Sequence, residues 1–242
     1  INNSESCCAI LENLLNKSCH DNYCEVLNSG TAYYCTRNYL GAIKKYLHFN
    51  PDIYIVIIYG GNDFIETCKI LGCERSLNPL YYIRLRENAW INPGVTQGLN
   101  QIYYFKHFPK SQEVAFKSVT EDIKSIEEIC SSHKIKLIVL LLPGKVEGEW
   151  ATDGSLLDRS KEILRLTDND LQINVKLLDQ LSVWLKDEKI DHINLLDKLK
   201  GRGSELFWKT DYHLNDKGHK IVAETLFAAY KDKFLALCHP GK

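Results

Sequence analysis

Apolar positions along the chain alternate between two periodicities. Residues 6–17 (SCCAILENLLNK) set them at helical spacing, and so do residues 36–48, where Leu40, Ile43 and Leu47 share a face. Asn50-Pro51-Asp52 ends that second helix, because the residue before a proline is pushed out of the helical region. Residues 53–59 (IYIVIIY) form a continuous β-branched and aromatic run, the pattern of a strand buried on both faces. A short strand is predicted at 24–27, and further buried strands at 135–142 and 190–196. Helices are predicted at 113–133, 171–188 and 216–234. Residues 64–112 are rich in Asn, Pro, Gly and aromatics and show no clear period. A stretch of that length reads as an insertion, a lid or a partly helical subdomain, rather than bare loop.

Strands separated by helices imply right-handed βαβ units and a parallel sheet covered on both faces. With 242 residues the chain is long enough for one such domain with a full core, so residues 1–242 are read as a single α/β domain. A formal charge of −1 supplies no broad field for nucleic acid or an anionic membrane. The longest apolar run, 137–142, is a buried-strand length and far short of a bilayer span. Nine cysteines are scattered without zinc-ribbon spacing. They read as buried thiols in a reducing, cytoplasmic interior, with a Cys68–Cys73 disulfide in an oxidising compartment as the competing reading.

Candidate chemistry lies at the predicted strand ends, where open α/β sheets bind their ligands. Asn28-Ser29-Gly30 follows the first strand, and Gly60-Gly61-Asn62-Asp63 follows the second. Thr210-Asp211-Tyr212-His213-Leu214-Asn215 precedes the last helix. Gly30 offers an unobstructed N–H, and Asn62 an amide that can face developing negative charge. If Asp211 and His213 stand on extended backbone, they share a face, and the carboxylate can orient and charge-stabilise the imidazole as a general base. Lys145, just past Pro143-Gly144, and Trp208, just before the histidine loop, are candidate substrate contacts. His219 and the helix beginning at Asn215–Asp216 suit packing and capping.

In this order the three motifs resemble the SGNH/GDSL hydrolases, over nearly the whole chain except residues 64–112. Asn28-Ser29-Gly30 is similar to the family's glycine block, Gly60–Asp63 to its asparagine block, and Asp211-x-His213 to its C-terminal block. One residue rather than two separates acid and base here, a variant associated with proteins acting on polysaccharide acetyl groups. The resemblance implies a flavodoxin-like three-layer α/β/α fold with strand order 2-1-3-4-5. It implies a serine esterase that removes or transfers O-acetyl groups on carbohydrate, without metal or organic cofactor. Asp211 and His213 would complete the triad, and Gly30 and Asn62 the oxyanion hole. The family's Gly-Asp-Ser block is not in this sequence, so the nucleophile and the central first strand are expected upstream of residue 1. Ser4, Ser6 and Ser29 are the fallback nucleophiles within it. Polysaccharide-modifying relatives point to the cell envelope, against the reducing interior that the cysteines suggest. Two other classes stay open: a carbohydrate-binding protein that keeps the cleft without the nucleophile, and a metal-dependent hydrolase using Asp63, Asp211 and His213.

Overall fold

The computed structural model describes residues 2–19, 23–72, 79–149 and 154–238. Ser6 begins the first helix, α1 (Cys7–Ser18), its Oγ accepting the Ala9 N–H at 3.3 Å. The second, α2 (Thr36–Tyr46), ends in a short 3-10 turn, and Asn50 takes the left-handed conformation ahead of Pro51. Strand β1 (Ile53–Tyr59) then leads into α3 (Asp63–Ile70). Residues 79–132 are helical almost throughout, as α4 (Pro79–Ile91), α5 (Thr96–His107) and α6 (Pro109–Ser132). Strand β2 (Lys136–Leu142) is followed by α7 (Lys145–Glu149), α8 (Gly154–Leu164) and α9 (Asp168–Asp187), the last opened by a Thr167–Asp170 capping box. After β3 (Asp191–Asn194) come two short helices, α10 (Leu196–Leu199) and α11 (Gly203–Leu206), and the long α12 (Asp216–Cys238).

The strands pair in parallel in the order β1-β2-β3. Ile53 lies opposite Lys136 and Tyr59 opposite Leu142, and Ile138–Leu141 runs beside Asp191–Asn194. One apolar cluster joins Val56, Ile58, Val139 and Leu141 to residues of α2, α3, α6 and α9. A second joins Ile138 and Leu140 to α1, α11 and α12, with Ile53, Ile55 and Ile57 packed against it. Helices therefore cover both faces of a small parallel sheet, and the α/β expectation holds at that level. A third cluster, built on Tyr81, Leu99, Ile102 and Leu157, is the core of the 64–112 region. The described residues of that region are largely helical rather than irregular, with Tyr81 and Tyr103 buried in this satellite core and Phe64, Tyr104 and Phe105 in the first cluster.

The strand expected at 24–27 is not formed. These residues have no regular secondary structure, and the N–H groups of two of them bond to side chains of α1. The Cys24 N–H donates to Asn16 Oδ1 at 2.8 Å, and the Val26 N–H to Glu12 Oε2 at 2.8 Å. A cavity separates them from β1, so no strand lies within pairing distance. Three strands, not five, are present among the described residues, and the 2-1-3-4-5 order is not seen. Among those residues no helix is long and apolar enough to cross a membrane.

Candidate functional site

Asp211 and His213 meet as expected, but by a different backbone route. Residues 211–213 form a bend, not an extended run, in which the Asp211 Oδ1 accepts the backbone N–H of His213 at 3.0 Å. The same oxygen lies 2.6 Å from His213 Nδ1. A short side chain bonding its own backbone two residues on is what Asp offers at a turn. It also sets the imidazole tautomer, since Nδ1 must carry the proton towards the carboxylate and Nε2 is left as the base. The His213 side chain is 67% exposed, so Nε2 is open to a ligand. Tyr212 packs beside the ring, with centroids 4.6 Å apart.

The loop that carries the pair is fastened at several points. The Trp208 N–H donates to the His213 carbonyl at 3.0 Å, and Phe207 bridges Leu214. Asn215 donates through Nδ2 to the Glu205 carbonyl at 2.7 Å and accepts the Gly218 N–H, capping α12. From beneath, Lys145 Nζ donates to the carbonyls of Trp208 at 2.9 Å and Lys209 at 3.0 Å, with Glu149 at 3.7 Å. Lys145 is buried, so its ammonium holds the loop and does not face the cleft as a substrate contact. Trp208 is 43% exposed at the edge of the loop, the placement a stacking contact requires. Gly94, from the turn between α4 and α5, packs against this loop closely. A Cβ there would meet Lys145 Nζ at 2.7 Å and the Lys209 carbonyl at 3.0 Å.

The asparagine turn is joined to the histidine loop through Tyr59, which the sequence reading did not select. The last residue of β1, it sends its ring under Gly61, where a Cβ would lie 2.6 Å from the ring carbons, and its hydroxyl donates to the Tyr212 carbonyl at 3.2 Å. Burial, with the Glu147 and Asp63 carboxylates nearby, raises its pKa well above the usual phenol range and keeps it a donor. Only a tyrosine closing a buried strand before paired glycines hinted at this role.

Asp63 is buried beside the turn. It accepts the Tyr59 N–H at 2.9 Å and the Tyr39 hydroxyl at 3.0 Å, and burial pushes its pKa up to about 7. Both contacts brace the turn. Among the described residues no group of three or more His, Cys, Asp or Glu side chains stands together as a metal site. Gln101 adds a second brace, donating to the Gly60 carbonyl at 2.7 Å and to Asn174 Oδ1 at 2.9 Å. Asn174 in turn donates to Glu147 Oε1 at 2.8 Å, and Glu147 is a fully buried carboxyl whose pKa burial raises. Asn62 itself is buried, and its side chain makes no capping bond to α3.

Gly30 is placed differently from expectation. It is exposed, and its N–H donates to Asn28 Oδ1 at 3.0 Å, so this oxyanion donor is already occupied. Asn28-Ser29-Gly30 is a side-chain-closed turn, because an Asn two residues before a glycine bonds forward onto it. Ser6 is taken up as the α1 cap, accepting from the Ala9 N–H and donating to the Asn3 carbonyl at 2.7 Å. His219 accepts the Cys7 N–H at 3.2 Å on Nδ1, the capping role expected of it, and burial lowers its pKa.

Two cysteine findings bear on the reading of free thiols. The adjacent Cys7 and Cys8 thiols interact at the start of α1: the hydrogen bond from Cys7 lowers the Cys8 pKa to about 7 and raises that of Cys7. Cys19 and Cys68 are each disulfide-bonded, which for Cys68 is the competing reading and goes against free thiols throughout. The expected partner Cys73 lies outside the described residues. Compared with protein-family models, with curated proteins and with solved structures, the chain matches none.

Proposed function

We propose that this chain carries the base and part of the oxyanion hole of a serine-type ester hydrolase. The observation that carries the reading is the 2.6 Å Asp211–His213 contact, with the ring otherwise open to solvent. In this reading a serine outside the sequence attacks the ester carbonyl while His213 Nε2 takes its proton. Asp211 stabilises the imidazolium, and the Asn62 amide donates to the tetrahedral oxyanion. His213 then returns the proton to the leaving alcohol, and water repeats the cycle to release the acid. The substrate is an O-acetyl group on carbohydrate, with a sugar hydroxyl as the acceptor where transfer replaces hydrolysis. The scaffold is the flavodoxin-like sandwich of order 2-1-3-4-5, to which β1, β2 and β3 contribute three neighbouring strands. Two disulfide-bonded cysteines support an oxidising compartment, such as the cell envelope.

The test is turnover of an aryl acetate by the protein that includes the nucleophilic serine. His213→Ala is expected to reduce kcat by about 10²–10⁴-fold, and Asn62→Ala by about 10²–10³-fold, with unchanged unfolding temperatures. Unchanged turnover in His213→Ala would overturn the esterase reading. A second reading, a carbohydrate-binding protein without catalysis, is favoured by the Gly30 N–H being closed onto Asn28. It is expected to bind an acetylated oligosaccharide without hydrolysing it.

A further inference from the structure

One peptide group lies between the Tyr59 side chain and the acid of the Asp211–His213 pair. The Tyr59 hydroxyl donates at 3.2 Å to the carbonyl of Tyr212. Across the same peptide bond, the His213 N–H donates at 3.0 Å to Asp211 Oδ1. A peptide group is planar and rigid, and its C=O and N–H point in opposite directions when the bond is trans, as it is here. Fixing the oxygen therefore fixes the N–H. That N–H meets the same carboxylate oxygen that lies 2.6 Å from His213 Nδ1. From phenol to imidazole the path is a chain of direct contacts.

The two ends of that path differ in how they are held. The side chains of Asp211 and His213 are 47% and 67% exposed, so hydrogen bonds rather than packing set their directions. Tyr59 is fixed by its surroundings. Its ring fills the space under Gly61, and its hydroxyl passes Gly144, where an added Cβ would lie 3.2 Å away. Burial, with the Glu147 and Asp63 carboxyls nearby, raises its pKa well above the usual phenol range. It therefore stays a donor over the range in which an imidazole titrates. The other fastenings of the loop act elsewhere: Lys145 holds the carbonyls of Trp208 and Lys209, ahead of Asp211, and the Trp208 N–H takes the carbonyl of His213. Neither touches the 212–213 plane.

We propose that Tyr59 is a positioning residue for the Asp211–His213 pair: its hydroxyl fixes the 212–213 peptide plane, the plane aims Asp211 Oδ1, and Asp211 holds the proton on His213 Nδ1. Nε2 is then kept as the accepting nitrogen. Because the same ring lies under Gly61, next to Asn62, one side chain sets the histidine loop against the asparagine turn. A glycine at 61 follows from this, since a side chain there would push the phenol off the Tyr212 carbonyl. Only the effect on turnover rests on the esterase reading; the effect on the histidine tautomer does not.

Tyr59→Phe keeps the ring beneath Gly61 and removes only the donor. The readout is the ratio of Nδ1–H to Nε2–H tautomers of His213, taken from imidazole nitrogen chemical shifts at about pH 9, where an imidazole is neutral. His213→Ala identifies the signals by their loss. The ratio is expected to fall about three- to tenfold in Tyr59→Phe, the worth of one net hydrogen bond. Asp211→Asn, which can turn an N–H towards the ring, is expected to lower it further. A ratio unchanged in Tyr59→Phe would overturn the proposal, whether or not Asp211→Asn moves it. So would an equal fall in Lys145→Met, since loosening of the loop as a whole would then suffice. Should Tyr59→Phe not fold, 3-fluorotyrosine at position 59, a stronger donor of nearly the same size, is expected to raise the ratio, and a ratio that does not rise would count against the proposal in the same way. In the protein that includes the nucleophilic serine, Tyr59→Phe is expected to lower kcat on an aryl acetate by a similar factor with KM unchanged. Turnover that survives in His213→Ala removes the esterase reading, while a fallen tautomer ratio in Tyr59→Phe still supports the positioning role.

Discussion

Replacing Asp63 by Asn tests how the turn carrying Asn62 is held. The carboxyl is 1% exposed, and burial pushes its pKa from the ordinary 3.8 to about 7, against the hydrogen bonds from the Tyr59 N–H and the Tyr39 hydroxyl. Between those values the folded protein holds a proton that the unfolded chain has released. The group's contribution to stability is therefore fully present below the ordinary carboxylate value and lost as pH rises through about 7. The carboxamide of Asp63→Asn would not titrate, and its oxygen can still accept the Tyr59 N–H. Other groups, including the buried Glu147, are common to both proteins and cancel in the difference. From about pH 5 to pH 8 the stability of the natural protein relative to Asp63→Asn is expected to fall by about 2.5 kcal/mol, each tenfold change in proton affinity counting about 1.4 kcal/mol. Urea unfolding at half-unit pH intervals measures this directly. A flat difference curve, or one rising with pH, would refute the reasoning, since either means the folded state does not favour the protonated carboxyl.

Lys145→Met is expected to destabilise the protein by about 2–4 kcal/mol, because it leaves the Trp208 and Lys209 carbonyls and the Glu149 carboxylate without their buried cation; a change below about 0.5 kcal/mol in urea unfolding would remove Lys145 as the anchor of the loop. Cys8 is expected to react with iodoacetamide with a half-maximal rate near pH 7, and Cys7→Ala to move that midpoint upward by removing the thiol hydrogen bond. Peptide mass spectrometry across about pH 6–9 reads this, and an unmoved midpoint would contradict the pairing. Alkylation of the denatured, unreduced protein is expected to leave Cys19 and Cys68 unlabelled, whereas labelling of Cys35 and Cys130 should be complete.

Legibility in the sequence followed the reach of the interactions. Strands at 53–59 and 135–142 were readable because continuous β-branched and aliphatic runs are buried on both faces wherever they lie. The Asp211–His213 contact was readable because two residues of separation force proximity, although the bend that achieves it was not. Tyr59, Gln101 and Asn174 were not readable. Their partners are 153, 41 and 27 residues away in the chain, and no local pattern records such a contact. Helices at 79–107 were hidden for a related reason. They bury Tyr81, Leu99 and Ile102 in a satellite core, and the aromatic content that filled it blurred the polar face that would have marked the period.

The unformed strand at 24–27 differs from these cases, because a strand was predicted there and none formed. Alternation can say which face of a strand is buried, but a strand also needs a neighbour within about 4.8 Å, and that is a property of the sheet rather than the segment. Residues 24–27 take no regular structure and bind α1 through Cys24 and Val26. β1 keeps an interior sequence at an edge position. The two mismatches face each other across the same cavity. A local rule failing at two places that share one boundary points to that boundary, the cavity between them, rather than to two independent errors of patterning.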